Sequence, residues 1–323
     1  MPVGTGIGQQ LSSRAIIGSF YDTLSGVALP AWVPATAQRI DSNQGEENLK
    51  WLGMAPAMRE WVGGRQAKGF IANGIDIANK TFEATLRVNL DDVRRDKTGQ
   101  LLARVNDLAF RAQQHRASLL SALINAGESQ ACYDGQNFFD TDHVYTGGAD
   151  YTTAQDNDLV FDISDAGTGG TATAPTPETM QQAILRAVQQ ILGFKDDRGE
   201  PMNDDAMAFT VMVPTPFMSA TLAALTNPLV GGGNTNIIPN QSSFQLTPAV
   251  NPRLTWTTKL AVFRTDGRVK PLIEQIEYDP EIAAIAEGSE LEIREREHLY
   301  TVTRSGNVAY GYWQHACLVT LQG

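Results

Sequence analysis

The 26 residues from Leu101 to Ala126 contain neither proline nor glycine, and place Leu101, Val105, Leu108, Ala112, Leu119 and Leu123 at steps of about three and four. That spacing predicts an amphipathic helix. At 1.5 Å per residue it would run roughly 39 Å, long for a globular helix. Gly127 supplies a suitable C-terminal stop. Upstream, Asp91 and Asp92 supply carboxylates suited to a helix start. A fold built on this chain must lay other elements along one extended apolar stripe.

The residues before the helix have a different period. Phe82, Ala84, Leu86, Val88 and Leu90 alternate with Glu83, Thr85, Arg87 and Asn89, the two-residue repeat of a strand with one wet face. Glu60-Trp61-Val62, Lys68 to Ile71, the Asn73-Gly74 turn signal and Ile75-Asp76-Ile77 precede it, so Met58 to Leu90 reads as a long β-hairpin. A two-stranded ribbon is marginal in water, so this one needs another surface to lie on. Further upstream, Leu11 to Leu24 is helix-compatible and stops at Ser25-Gly26. Pro30 and Pro34 then predict extended chain to about Arg39, leaving nearly 40 residues with little core of their own.

Past Gly127, Gly147 to Ala174 reads as a loop and a domain boundary. Thr176-Pro177-Glu178 opens a second helix with Met180, Ile184, Ala187, Val188 and Ile191 on one face, ending near Gly193. Phe209 to Val213, Leu260 to Phe263 and Leu272 to Tyr278 are strand candidates and Pro216 to Leu225 a third helix. These suggest an α/β subdomain from Thr176 to Pro280, with 231–252 as a long outward loop. Leu299 to Thr303, a Ser305-Gly306 turn and Val308 to Leu318 close the chain in strand periodicity. The expectation is a two-lobed α+β chain.

Composition narrows the function. The 323 residues suit one large or two moderate domains. A net charge of −11 lacks the basic footprint of a nucleic-acid reader. Ala117 to Leu185 contains no Lys or Arg but ten carboxylates, a solvated acidic surface or a cation or basic-partner site. No uninterrupted apolar run of about 18 residues predicts a transmembrane helix, and the start shows no secretory pattern. A soluble chain with free Cys132 and Cys317 is expected.

Catalytic constellations are sparse. Gly4-x-Gly6-x-Gly8 has no strand before it, so it reads as a terminus rather than a nucleotide loop. Asp140-Thr141-Asp142-His143 offers oxygen and imidazole donors without the spacing of a known metal loop. Cys132 and His143 form a nucleophile pair in type only, with nothing in the sequence to activate the thiol. His115 reads as a solvated or interface histidine, His298 and His315 as packing histidines, and Tyr300, Tyr310, Tyr312 and Trp313 as a packed sheet face. No catalytic residue, metal or cofactor is expected.

Tyr133-Asp134-Gly135-Gln136-Asn137-Phe138-Phe139-Asp140-Thr141-Asp142-His143, some seventy residues after Arg59-Glu60-Trp61, together with Gly311-Tyr312-Trp313-Gln314, resembles the major head subunit of Mu-like phages and prophages. The order of elements is similar to the tailed-phage major capsid fold, the Hong Kong 97 type. The resemblance implies an N-terminal arm (1–57), an extended hairpin loop (58–90), and a peripheral domain (91–175) carrying a spine helix (101–126). An axial domain (176–280) and closing peripheral strands (281–323) would follow. It implies pentamers and hexamers of an icosahedral head around double-stranded DNA bound without sequence specificity. Scaffold or protease, portal and decoration partners, assembly in the bacterial host cytoplasm and no membrane go with it. Arg59, Trp61, Arg65, Lys68 and Phe70 are the expected inter-subunit contacts, and Asp134, Asp140 and Asp142 a cation or junction cluster. An encapsulin-like protein-cargo shell and a cytosolic hydrolase using Cys132 or the Asp140–His143 cluster are the rival readings.

Overall fold

The computed structural model describes residues 12–49, 75–95, 99–145, 151–166, 169–229, 233 and 235–323. In chain order its helices are α1 (Ser13–Gly26), α2 (Trp32–Thr36), α3 (Leu90–Arg95), α4 (Gln100–Asn125), α5 (Ile163–Ala166), α6 (Pro177–Gly193), α7 (Met218–Thr226) and α8 (Glu290–Glu295). Its strands are β1 (Ala37–Asp41), β2 (Glu46–Asn48), β3 (Asp76–Ala78), β4 (Lys80–Asn89), β5 (Asp158–Asp162), β6 (Gly170–Thr171) and β7 (Ala174–Pro175). After these come β8 (Ala208–Val213), β9 (Gln245–Val250), β10 (Lys259–Arg264), β11 (Leu272–Ile285), β12 (Glu297–Tyr310) and β13 (Ala316–Gln322). None of the described helices is long and apolar enough to cross a membrane.

The chain divides into two units. The first takes the described residues of 1–29, 79–117 and 276–306. Its core gathers Ile16 and Phe20 of α1, Val88 of β4, Leu101, Val105 and Ala109 of α4, Ile282 of β11, and Tyr300 and Val302 of β12. Ser12 caps α1, its Oγ accepting from the Ala15 amide. The first 40 residues, expected to hold little core of their own, contribute Ile16 and Phe20 from one face of α1, fully buried, to this core shared with later elements. β4 pairs antiparallel with β12 from Glu297↔Asn89 to Gly306↔Lys80. The pairing covers one edge of β4, while of its inward face Val88 is buried in this core, Phe82 and Leu86 are half-buried and Ala84 stays exposed. The same register carries Ser305 and Gly306 as strand residues opposite Thr81 and Lys80, so the expected turn there is overruled by continuous pairing.

The helix is where the spacing put it, but its buried stripe is set slightly differently. Ala109 rather than Leu108 is fully buried; Leu108 packs at the edge of the core and lines a shallow apolar groove of about 290 Å³ with Phe82, Ala84, Ala112 and Val302. His115 lies edge-on to Phe82 in the same groove, ring centroids 4.5 Å apart.

The second unit takes the described residues of 30–78, 118–275 and 307–323. Its main sheet runs β5-β13-β10-β8-β9, with β5 parallel to β13, β8 parallel to β9, and β10 antiparallel to both of its neighbours. α6 packs on this sheet and on α7 through Met180, Ile184, Ala187, Val188 and Ile191, all buried as the spacing predicts. The Thr176 hydroxyl caps it and Pro177 occupies its first turn. Two expected loops are in part strands. β5 forms inside 147–174 because Leu159 and Phe161 alternate onto the sheet, and β9 forms inside 231–252 beside β8. The sheet therefore recruits β5 and β13 from outside 176–280. Pro34, read as extended chain, sits in the first turn of α2, where its missing N–H costs no helical bond. Arg59, Trp61, Arg65, Lys68 and Phe70 lie outside the described residues, as do Gly4, Gly6 and Gly8.

Candidate functional site

α4 ends against an aromatic ring. A Cβ on Gly127 would lie 2.5 Å from the Phe139 side chain, so the glycine is required by close approach and not by its backbone angles. Beyond it, 131–137 folds into a tight turn: the Cys132 amide donates to the Gln136 carbonyl at 2.8 Å, and Gly135 has φ +89°. Asp134 sits at its centre. One carboxylate oxygen accepts from the Gln136 amide (3.1 Å) and from Cys132 Sγ (3.0 Å), while the other lies 2.7 Å from His143 Nδ1.

His143 is fully buried and doubly fixed. Its backbone pairs both ways with Gln155, and its ring stacks on Trp313, centroids 4.0 Å apart and planes 7° from parallel. Phe194 meets the same indole edge-on. Tyr133 and Tyr145 hydrogen-bond through their hydroxyls to the Gln314 side chain. Asn157 Nδ2 donates to the carbonyls of Phe138 and Trp313. The two sequence stretches that carried the resemblance, Tyr133–His143 and Gly311–Gln314, thus form one knot. Gly311 closes it: a Cβ there would stand 2.2 Å from the Lys270 carbonyl oxygen.

Chemically, the knot is poor at nucleophilic catalysis. Burial, reinforced by the Asp134 charge, pushes the Cys132 thiol far above its ordinary range, so it stays protonated and donates to the carboxylate. Burial opposes the charge on Asp134, but the hydrogen bond and charge of His143 outweigh it and hold the carboxyl below its usual value. His315 is a packing histidine, Nδ1 2.8 Å from the Val269 carbonyl, with burial and then Arg264 lowering it to about 4. The expected single aromatic sheet face does not form: Tyr300 is buried in the core of the first unit, Tyr310 and Trp313 are buried in the second, and Tyr312, also of the second, is half-buried.

In the expected acidic trio, Asp140 and, more weakly, Asp134 both act on Asp142. Asp134 belongs to the knot. Asp140 accepts from the Asn137 and Thr141 amides, and Asp142, exposed beside it, is raised by its hydrogen bond with Asp140 and then by that group's charge. Sequence reading missed Asp158. Burial first, and Glu128 second, push it to about 6 against the counter-effect of Lys259, which pairs with Glu128. Asp158 falls in a stretch whose composition reads as loop, so the sequence pattern does not mark it as a strand residue near other charges.

With the geometry in place, the fold can be classed. Bacteriophage JBD30 procapsid protein superposes with a TM-score of 0.53 at 24% identity, covering 95% of this chain and 74% of that one, which gives this protein the tailed-phage major capsid fold of the Hong Kong 97 type. More particularly, residues 13–169 match the family model of the Mu-like prophage major head subunit gpT, bearing out the resemblance on that segment. The major capsid protein of Escherichia phage Mu is 36% identical over 114 residues, 35% of this chain and 37% of that protein. The Mu-like prophage FluMu major head subunit of Haemophilus influenzae is 30% identical over 142 residues, 44% and 45% of the two chains. The matched stretches span less than half the length of these curated relatives.

Proposed function

We propose that this chain is the major capsid protein of a Mu-like phage or prophage, a structural subunit whose copies close into an icosahedral head around double-stranded DNA. The observation that carries the reading is the family match over 13–169, which includes both the long helix and the Tyr133–His143 part of the knot. In this reading 1–57 is the arm, 58–90 the extended loop, 91–175 with 281–323 the peripheral domain, and 176–280 the axial domain. Arg59, Trp61, Arg65, Lys68 and Phe70 contact neighbouring copies, Asp134, Asp140 and Asp142 form a cation or junction cluster, and pentamers and hexamers form the lattice. Scaffold or protease, portal and decoration proteins complete the head, which assembles in the host cytoplasm. The −11 net charge is compatible with packaged DNA that is not held tightly. The apolar groove of the first unit offers a neighbour a surface without breaking that unit's core.

The test is negative-stain microscopy of the purified full chain, with the ratio of absorbance at nucleic-acid and protein wavelengths measured on any particles. Closed shells of uniform diameter are the expected result. Small oligomers at every salt concentration would overturn the assignment, and shells that exclude DNA and retain protein cargo would favour the cellular-compartment rival.

A further inference from the structure

Among the described residues, one group of side chains brings together the donor types of a transition-metal site. Cys132, Asp134 and His143 each turn a metal-binding atom inward, and those three atoms lie within 4.8 Å of one another. We propose that Cys132 Sγ, a carboxylate oxygen of Asp134 and His143 Nδ1 form a site for one divalent transition-metal ion of the zinc class.

The donor chemistry selects the ion. Sulfur, imidazole nitrogen and a single carboxylate suit zinc and its neighbours, whereas calcium and magnesium require mostly oxygen ligands. Charge balance fits a buried location, because thiolate and carboxylate together neutralise a dication and a neutral imidazole adds nothing. Two of the three ligands are also held in place by their surroundings. Trp313 and the Gln155 backbone fix His143, and the Gln136 amide fixes Asp134. Bond lengths of about 2.3 Å to sulfur and about 2.0 Å to nitrogen and oxygen place such ligands roughly 3 to 4 Å apart, close to their present separations.

In the metal-free chain, protons occupy the positions the ion would take, one shared by Cys132 and Asp134 and one by Asp134 and His143. From a neutral imidazole, binding releases the Cys132 thiol proton to solvent and moves the ring proton from Nδ1 to Nε2, with no change of oxidation state. His143 Nε2 is buried and has no hydrogen-bond partner among the described residues. Lacking that outer acceptor, the site should bind roughly 10- to 100-fold more weakly than one that has it.

Cobalt(II) is the probe, titrated into chelator-treated full-length protein under reducing conditions. The expected result is one cobalt per chain with sulfur-to-cobalt charge-transfer absorption, abolished by added zinc, lost in Cys132→Ser and kept in Cys317→Ala. Absence of that absorption in the wild type, or its survival in Cys132→Ser, would overturn the site. Should Cys132→Ser fail to fold, X-ray absorption at the zinc edge of the wild-type protein decides: one sulfur with nitrogen and oxygen neighbours supports the site, and an all-oxygen shell refutes it. Neither readout depends on whether shells form.

Discussion

The first unit and the knot of the second are both buried, yet they are built on different tolerances. The core of the first is a cluster of aliphatic side chains and two aromatics that meet as helix stripe against sheet face. The knot is held by backbone approaches that only glycine permits and by side-chain hydrogen bonds converging on Asp134, Asn157 and Gln314. Apolar packing is proportional to area and forgiving of shape to within a methyl group or so. A polar network or a backbone contact is close to all-or-none, because a displaced donor leaves its buried partner unpaired. Tyr133–His143, which falls within the segment matched by the family model, lies in the less forgiving region.

The largest expected effect breaks the comparison at its extreme. Gly311→Ala puts a methyl group 2.2 Å from the Lys270 carbonyl, and the backbone must move. A loss of more than about 3 kcal/mol is expected, read as insoluble protein or a collapsed melting transition. A variant melting within a degree or two of wild type would mean the knot is as pliable as the first unit.

Next is Ile16→Ala, which empties a fully buried position in the first unit. It should cost about 2 to 5 kcal/mol in denaturant melts, while Leu108→Ala, at the edge of the groove, should cost about 1 kcal/mol. Equal costs would show that the buried stripe of α4 runs through Leu108 after all.

A smaller effect separates charge from packing. Asp158, with a folded value near 6, is penalised when ionised. Below about pH 4 it is protonated in folded and unfolded chain alike; between about 4 and 6 only the folded chain keeps the proton; above 6 the full penalty stands. Asp158→Asn should therefore stabilise by on the order of 1 kcal/mol at pH 7 to 8, after allowance for solvent screening, and by nothing near pH 4. A gain that is flat across this range would assign the effect to packing.

The smallest expected change is favourable. Gly18 lies on the exposed face of α1 with nothing within 4 Å of an added Cβ, so Gly18→Ala should raise stability by about 0.5 to 1 kcal/mol. Set against Gly311→Ala, the same substitution would then have opposite signs in the two regions.

Periodicity alone determined α4, α6 and β4. Each repeats over enough residues that the pattern outweighs any one neighbour, and the terminating and capping signals at Gly127 and Thr176 agree with it. Short or evenly polar stretches were decided by partners far along the chain. β5 is a strand because β13 lies beside it, Ser305-Gly306 stays extended because β4 continues opposite, and Pro34 is helical because it falls in a first turn. The Cys132–Asp134–His143 group was half legible. Its residue types stood within twelve positions, but neither the bridging place of Asp134 nor the stacking of Trp313 on His143 could be read locally, since the indole arrives from 170 positions downstream (313 − 143). Local spacing fixes which face of an element is apolar, and only the closed fold fixes what that face, or a buried polar group, finds opposite.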